Sequence, residues 1–250
     1  MRVRYCAQAV VFSSVIFLSG CLETLDKGLA VNAGVDLLKA ATVTDAQMIA
    51  LSNQSIGQYD GQSKVAGPDD PYTKRLNRLF DPYKDSAQVP LEYKVYYNDT
   101  LNAFAMPNGS IRVHTALMDL LEDDELLGVI GHEIGHVVEE HSLARYKRSY
   151  RTLGGRKLIA ATAGSAGKIA ASDLGAISQT FLTSKFSREN ELSADAYGIR
   201  LLRQNGSDPR ALIRAFEKMR AVHGNGGGIF ASHPSNSERI EAIERQVNDT

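Results

Sequence analysis

Residues 132–136 read His-Glu-Ile-Gly-His. On a helix each residue advances by about 100°, so His132 and His136 fall one turn apart on nearly the same face, spaced to share a metal ion. Two neutral imidazoles on one face are half of a tetrahedral zinc site. Glu133 lies about 100° round from His132, a poor place for a third ligand but within reach of a water held on the metal. That is where the general base of a zinc hydrolase belongs. Such a hydrolase keeps three protein ligands and leaves one position for water. Downstream, Ser187-Arg-Glu-Asn-Glu-Leu-Ser-Ala-Asp195 sets Glu191 and Asp195 one helical turn apart. Glu191 is the candidate third ligand, and Asp195 the candidate acceptor for the outer ring N–H of a ligating histidine. The bland alternatives are an amphipathic helix with two incidental histidines and a solvated charged helix.

Three fixed positions recur by chance in roughly one chain in a hundred of this length, so the surrounding elements have to decide. Apolar spacing predicts one helix over roughly 123–148. With His132 at 0°, Ile130, Ile134 and Val137 fall on the opposite side as a buried stripe. Gly128, Gly131 and Gly135 form a separate stripe. Each glycine costs a helix about 1 kcal/mol relative to alanine, so three on one side predict that another backbone approaches there. Glu122 to Glu125 suit the positive end of the helix dipole, and Arg145, Lys147 and Arg148 the negative end.

The neighbouring segments read as support. Thr44-Asp-Ala-Gln47 is a capping box that should open a helix running into the fifties or low sixties. Gly67-Pro-Asp-Asp-Pro71 breaks the chain, and Tyr72 to Phe80 has the spacing of another short helix. Leu91 to Asn98 alternates as a strand; 102–106 and 110–114 are two more, joined through Pro107-Asn108-Gly109, whose Asn-Gly is a hairpin signal. A small antiparallel sheet is therefore expected just before the histidine helix. Its edge could bind an extended peptide through main-chain hydrogen bonds, or simply pack under the helix. The Gly-, Ala- and Ser-rich stretch 151–184 is expected as a helical excursion or cover over the cleft. Asp208-Pro209 opens a helix to about Val222, and Asn236 or Ser237 caps a last one.

The 250 residues are 43% hydrophobic and 23% charged, ordinary globular composition with room for a sizeable core. The start differs: Arg2 and Arg4 precede an uncharged run to Leu22 that contains Leu18-Ser-Gly-Cys21. That pattern describes a secretory signal peptide; the alternative, a single membrane anchor, is only marginally long enough. Leu-Ser-Gly-Cys resembles the bacterial lipobox, which implies a 1–20 leader, acylation of Cys21, a 21–42 tether and a 43–250 domain. With Leu22 rather than aspartate after the cysteine, the resemblance implies the periplasmic face of an outer membrane. Cys6 would be discarded, leaving no free thiol for a disulfide or a metal. Removing residues 1–20 takes the charge from 28 − 29 = −1 to 26 − 29 = −3. Nothing in that balance suggests nucleic acid.

Taken together, His-Glu-x-x-His, the Ser-Arg-x-x-Glu-x-x-Ala-Asp segment about 55 residues on, Asn102-Ala-Phe-Ala before them and His233-Pro234 after resemble the Ste-twenty-four/HtpX class of zinc metallopeptidases, most of all its small periplasmic lipoprotein members. The resemblance runs from about residue 40 to the C-terminus. It implies an α+β fold, mainly helical and zincin-like. It also implies one Zn2+ per chain on His132, His136 and Glu191, with Glu133 as base and Asp195 behind the ligands. Unlike the membrane-spanning members, this chain would rest on Cys21 alone for attachment. The implied substrates are misfolded or unassembled outer-membrane proteins, with envelope assembly machinery as a further partner. His233 resembles a family histidine near the metal. It would stabilise an oxyanion or fill the open zinc position at rest, unless it is a structural loop residue. His141, nine residues after His132, falls on the apolar side of the helix as drawn, a buried structural place. His114 and His223 have no partner in sequence. The rival reading is a zinc-stabilised chaperone or assembly scaffold with an occluded site.

Overall fold

A computed structural model describes residues 44–162, 173–224, 228–234 and 237–248. The expected leader, tether and Cys21 lie outside them, as does Asn236. The expected α+β class holds: the described chain is mainly helical with one small sheet.

Helix α1 (Asp45–Gln62) opens on the expected capping box, in which Thr44 Oγ1 accepts from the Gln47 N–H (3.3 Å) and Gln47 Oε1 accepts from the Thr44 N–H (2.9 Å). Helix α2 (Pro71–Phe80) has proline in its first turn, where the missing N–H costs nothing, and Asp70 as its cap. A short 3-10 turn (Asp81–Tyr83) leads to strands β1 (Glu92–Tyr96), β2 (Ala103–Ala105) and β3 (Ser110–His114).

The sheet has the order β1-β3-β2. β2 and β3 form the expected antiparallel hairpin, with Gly109 at φ 85° in the turn. β1, however, pairs parallel to β3, Glu92 beside Ser110 and Tyr96 beside His114, so the sheet is mixed and not wholly antiparallel. The Asn-Gly turn dictates only the β2–β3 pairing. What seats β1 on the far edge of β3 includes Arg112. Its fully buried guanidinium reaches Glu92 Oε2 (3.1 Å) in β1 and Asp60 (2.9 and 3.0 Å) in α1.

After α3 (Thr115–Leu120) comes α4 (Asp123–Val138), the histidine helix. The expected single helix over 123–148 is corrected here: α4 stops at Val138, Glu140 takes a left-handed φ of 55°, and α5 (His141–Thr162) starts afresh. Arg145, Lys147 and Arg148 therefore belong to α5 and do not complement the end of α4. No glycine or proline marks the break, so no local signal announced it.

Helices α6 (Asp173–Thr183), α7 (Arg188–Gln204) and α8 (Ala211–His223), a 3-10 turn (Gly228–Ala231) and α9 (Ser237–Asn248) complete the described chain. A large apolar core joins the sheet to α2–α4 and α7–α9; a smaller one, around Met48, Tyr146 and Phe181, joins α1, α5 and α6. Helix α6, in the second half of the stretch expected as a helical excursion, thus packs against α1. Among the described residues no helix is long and apolar enough to cross a membrane.

The α4–α7 seam positions the site, and the glycine stripe makes it. A Cβ on Gly131 would stand 3.0 Å from Gly198 Cα, and one on Gly135 would stand 2.9 Å from Tyr197 Cβ and 3.0 Å from Ala194 Cα. Gly198 returns the fit, since a Cβ there would meet the Gly128 carbonyl oxygen at 2.8 Å. The backbones approach most closely at Gly131, Gly135 and Gly198, as the glycine spacing predicts.

Candidate metal centre

With the two backbones in contact, residues on facing turns of α4 and α7 are brought within hydrogen-bonding reach. Ligand atoms of His132, His136, Glu191 and His233 all lie within 4.8 Å of one another, and all four residues are buried. His132 Nε2 is 3.0 Å from His136 Nε2 and 3.2 Å from His233 Nδ1. Glu191 Oε1 is 3.5 Å from His136 Nε2 and 3.1 Å from His233 Nδ1. Two of these residues come from α4, one from α7, and His233 from the segment that follows the last 3-10 turn. That segment is held by the His233 N–H bonding to the Ile229 carbonyl (2.9 Å) and the Ile229 N–H bonding to the Leu101 carbonyl (2.8 Å).

Around these four stand residues that orient and neutralise them. Asp195 Oδ1 faces His132 Nδ1 at 2.8 Å, the place the sequence suggested for it. Arg239, from α9, grips Asp195 with two nitrogens (2.8 and 2.6 Å) and sets Nη1 2.5 Å from Glu191 Oε2. Burial alone would raise the Asp195 and Glu191 pKa values. Arg239 and His132 hold Asp195 low, and His233, His136 and Arg239 hold Glu191 well below the carboxylate range. Both carboxylates are thus anionic. Burial drives His136 well below the usual histidine value, so it is neutral; burial acts the same way on His132, but the Asp195 contact outweighs it and raises that ring.

Glu133 Oε1 is buried without a hydrogen-bond partner, 3.5 Å from His233 Nε2. A carboxylate oxygen left unpaired in the interior is costly unless something else completes it. Three imidazoles and one carboxylate are nitrogen and oxygen donors of the kind zinc takes, and the unpaired Glu133 oxygen leaves an acceptor for a water beside them. The residues fit the ion.

Three neighbours of the cluster were not legible as such. Arg239 shares the buried side of α9 with Ile243, four residues on, the one faint signal for it. Phe186 stacks on His136 with ring centroids 3.7 Å apart and an interplanar angle of 17°, and the Arg145 guanidinium covers Phe186 at 3.7 Å. His141 is corrected outright: it is half-buried, not on an apolar face, and its Nδ1 lies 3.2 Å from His136 Nδ1. The break at Glu140 invalidates the angle drawn for a continuous helix. His114 bonds the Thr100 carbonyl within the sheet region (3.0 Å), away from the cluster.

Residues 72–247 match peptidase family M48. The chain belongs to that family. An M48 chain is a metal-dependent endopeptidase, and the likeness drawn from the motifs holds along nearly the whole sequence. It is 36% identical to the metalloprotease YcaL of Escherichia coli (strain K12) over 95% of each chain. It is 34% identical to the metalloprotease LoiP of the same strain over 99% of this chain and 98% of that one. A third relative, the beta-barrel assembly-enhancing protease of that strain, is 28% identical over 84% of this chain and 48% of its own length. The M48 match spans every element that contributes to the cluster, from α4 to α9.

Proposed function

We propose that this chain is a zinc endopeptidase of the bacterial cell envelope, anchored through Cys21 to the periplasmic face of the outer membrane. Its substrates are misfolded or unassembled outer-membrane polypeptides. The observation that carries the reading is the convergence of His132, His136 and Glu191 beside the unpaired Glu133 Oε1 in an M48 chain. The substrate class draws support from the relative named for beta-barrel assembly, and the location from the Arg2–Cys21 pattern.

His132, His136 and Glu191 would hold the zinc, which when bound would acidify a water and polarise a peptide carbonyl. Glu133 is the residue placed to take a proton from an attacking water and to return it to the amine nitrogen as the C–N bond breaks. Asp195, fixed by Arg239, receives the Nδ1–H of His132 and so keeps the Nε2 lone pair directed inward. Strand β2 is the sheet edge nearest α4. The outward carbonyl of Ala105 accepts from Ser142 Oγ (3.0 Å), a bond that an incoming extended peptide would replace.

Glu133→Gln tests the role. Zinc content should stay, and cleavage of unfolded casein or porin should fall by at least about 10²-fold, with chelator abolishing it in the parent. Retained turnover would rule out Glu133 as the base. His233 supports a second reading, because a fourth buried ligand makes a closed site of the structural kind. A chaperone or scaffold would bind unfolded chain equally well with Glu133→Gln. A peptidase held at rest by His233 would become more active with His233→Ala.

A further inference from the structure

The left-handed residue at Glu140 places a side chain that no motif assigns. In an unbroken helix His141 would stand about 140° round the axis from His136, facing away from the cluster. The turn at Glu140 (φ 55°) instead starts α5 beside the end of α4 and sets His141 Nδ1 3.2 Å from His136 Nδ1. His136 already points its other nitrogen, Nε2, at the cluster, 3.0 Å from His132 Nε2. A ring that offers the Nε2 lone pair to a metal carries its proton on Nδ1, and that N–H requires an acceptor.

We propose that His141 is a positioning residue: its Nδ1 lone pair accepts the His136 Nδ1–H and so fixes the tautomer and the ring plane in which His136 can ligate the metal. The two α4 histidines are then held by different means. His132 donates its Nδ1–H to the buried Asp195 carboxylate at 2.8 Å, while His136 donates its Nδ1–H to a half-buried imidazole and is kept from tilting by Phe186 stacked on its face. A non-glycine residue in the left-handed region costs energy and persists where the surroundings require it. Here the requirement is the return of His141 to His136. The assignment rests on the metal-centre reading above.

Zinc competition against a chromogenic chelator separates the two. His141→Leu removes the acceptor and should weaken zinc binding by about 10- to 100-fold, the usual effect of deleting an outer partner of a ligating histidine. His141→Asn puts an amide oxygen where Nδ1 stood and should recover most of that loss. Equal losses in Leu and Asn, or a Leu variant that holds zinc as tightly as the parent, would overturn the proposal. A parent that takes up no zinc at all would overturn the metal centre itself. A second measurement needs no variant. In the 15N-labelled, zinc-loaded parent a scalar coupling across the hydrogen bond should connect the two Nδ1 atoms, and its absence would also overturn the assignment.

Discussion

At the scale of single residues, the cluster is a problem of buried charge. Glu133, Glu191 and Asp195 are carboxylates in the interior, and Arg239 is the cation set between two of them. Removing one partner of a buried ion pair leaves the other uncompensated and costs about 3–5 kcal/mol. Arg239→Met should therefore lower the metal-free protein's unfolding free energy, read from urea denaturation, by an amount in that range, and saturating zinc should restore part of it by supplying positive charge to Glu191. An unchanged free energy would mean that the two carboxylates have other compensation. That His132, Glu133, His136, Glu191 and Asp195 come together was legible, because they stand at fixed helical spacings, and His233 because a family likeness pointed to it. Arg239 and Phe186 reach the same place through tertiary packing alone, and no spacing in the sequence relates residue 239 to residue 195.

At the scale of elements, the seam between α4 and α7 does what a side-chain interface could not: it brings turns of two helices close enough for Glu191 to meet both histidines. Gly131→Ala would gain about 1 kcal/mol of helix propensity. The added methyl would press on Gly198 Cα, and overpacking costs about 1–3 kcal/mol, so the net change should be destabilising. Gly135→Ala should lose more, because its Cβ would meet two residues of α7 at 3.0 Å or less. Both should also weaken zinc binding, since any spreading of the helices carries Glu191 away; calorimetric melting with and without zinc reads both effects. Glu140→Gly relieves a left-handed conformation that costs an L-residue about 1–2 kcal/mol. It should raise the melting temperature and leave zinc affinity unchanged. The glycine stripe announced the seam, because three glycines have no other use in a helix. The break at Glu140 and the parallel pairing of β1 went unannounced, since one is a conformation imposed by packing and the other depends on Arg112 meeting residues far away in the chain.

At the scale of the whole molecule, Arg112 and Asp60 tie α1 to the sheet and so join the two cores. Burial pushes the Asp60 carboxyl up, but hydrogen bonds from Arg112, Lys94 and Tyr96 outweigh it and hold the pKa at about 2, below the ordinary 3.8. A depressed carboxylate contributes stability that is complete above its unfolded value and is lost as pH falls through the folded one. Asp60→Asn should be less stable than the parent by about 3 kcal/mol at pH 7, and the gap should narrow between pH 4 and pH 2. Urea midpoints across that range check it; a constant gap would mean that Asp60 acts through packing and not through its charge. The position of Arg239 in α9 has a further consequence for biosynthesis. The cluster draws on residues from 132 to 233, and the cation that makes its carboxylates tolerable comes later still. A nascent polypeptide therefore has no assembled cutting centre until α9 has been made, long after the histidine helix has formed. A chain truncated before α9 would bury Glu191 and Asp195 without their arginine, and the two acids would disfavour its folding.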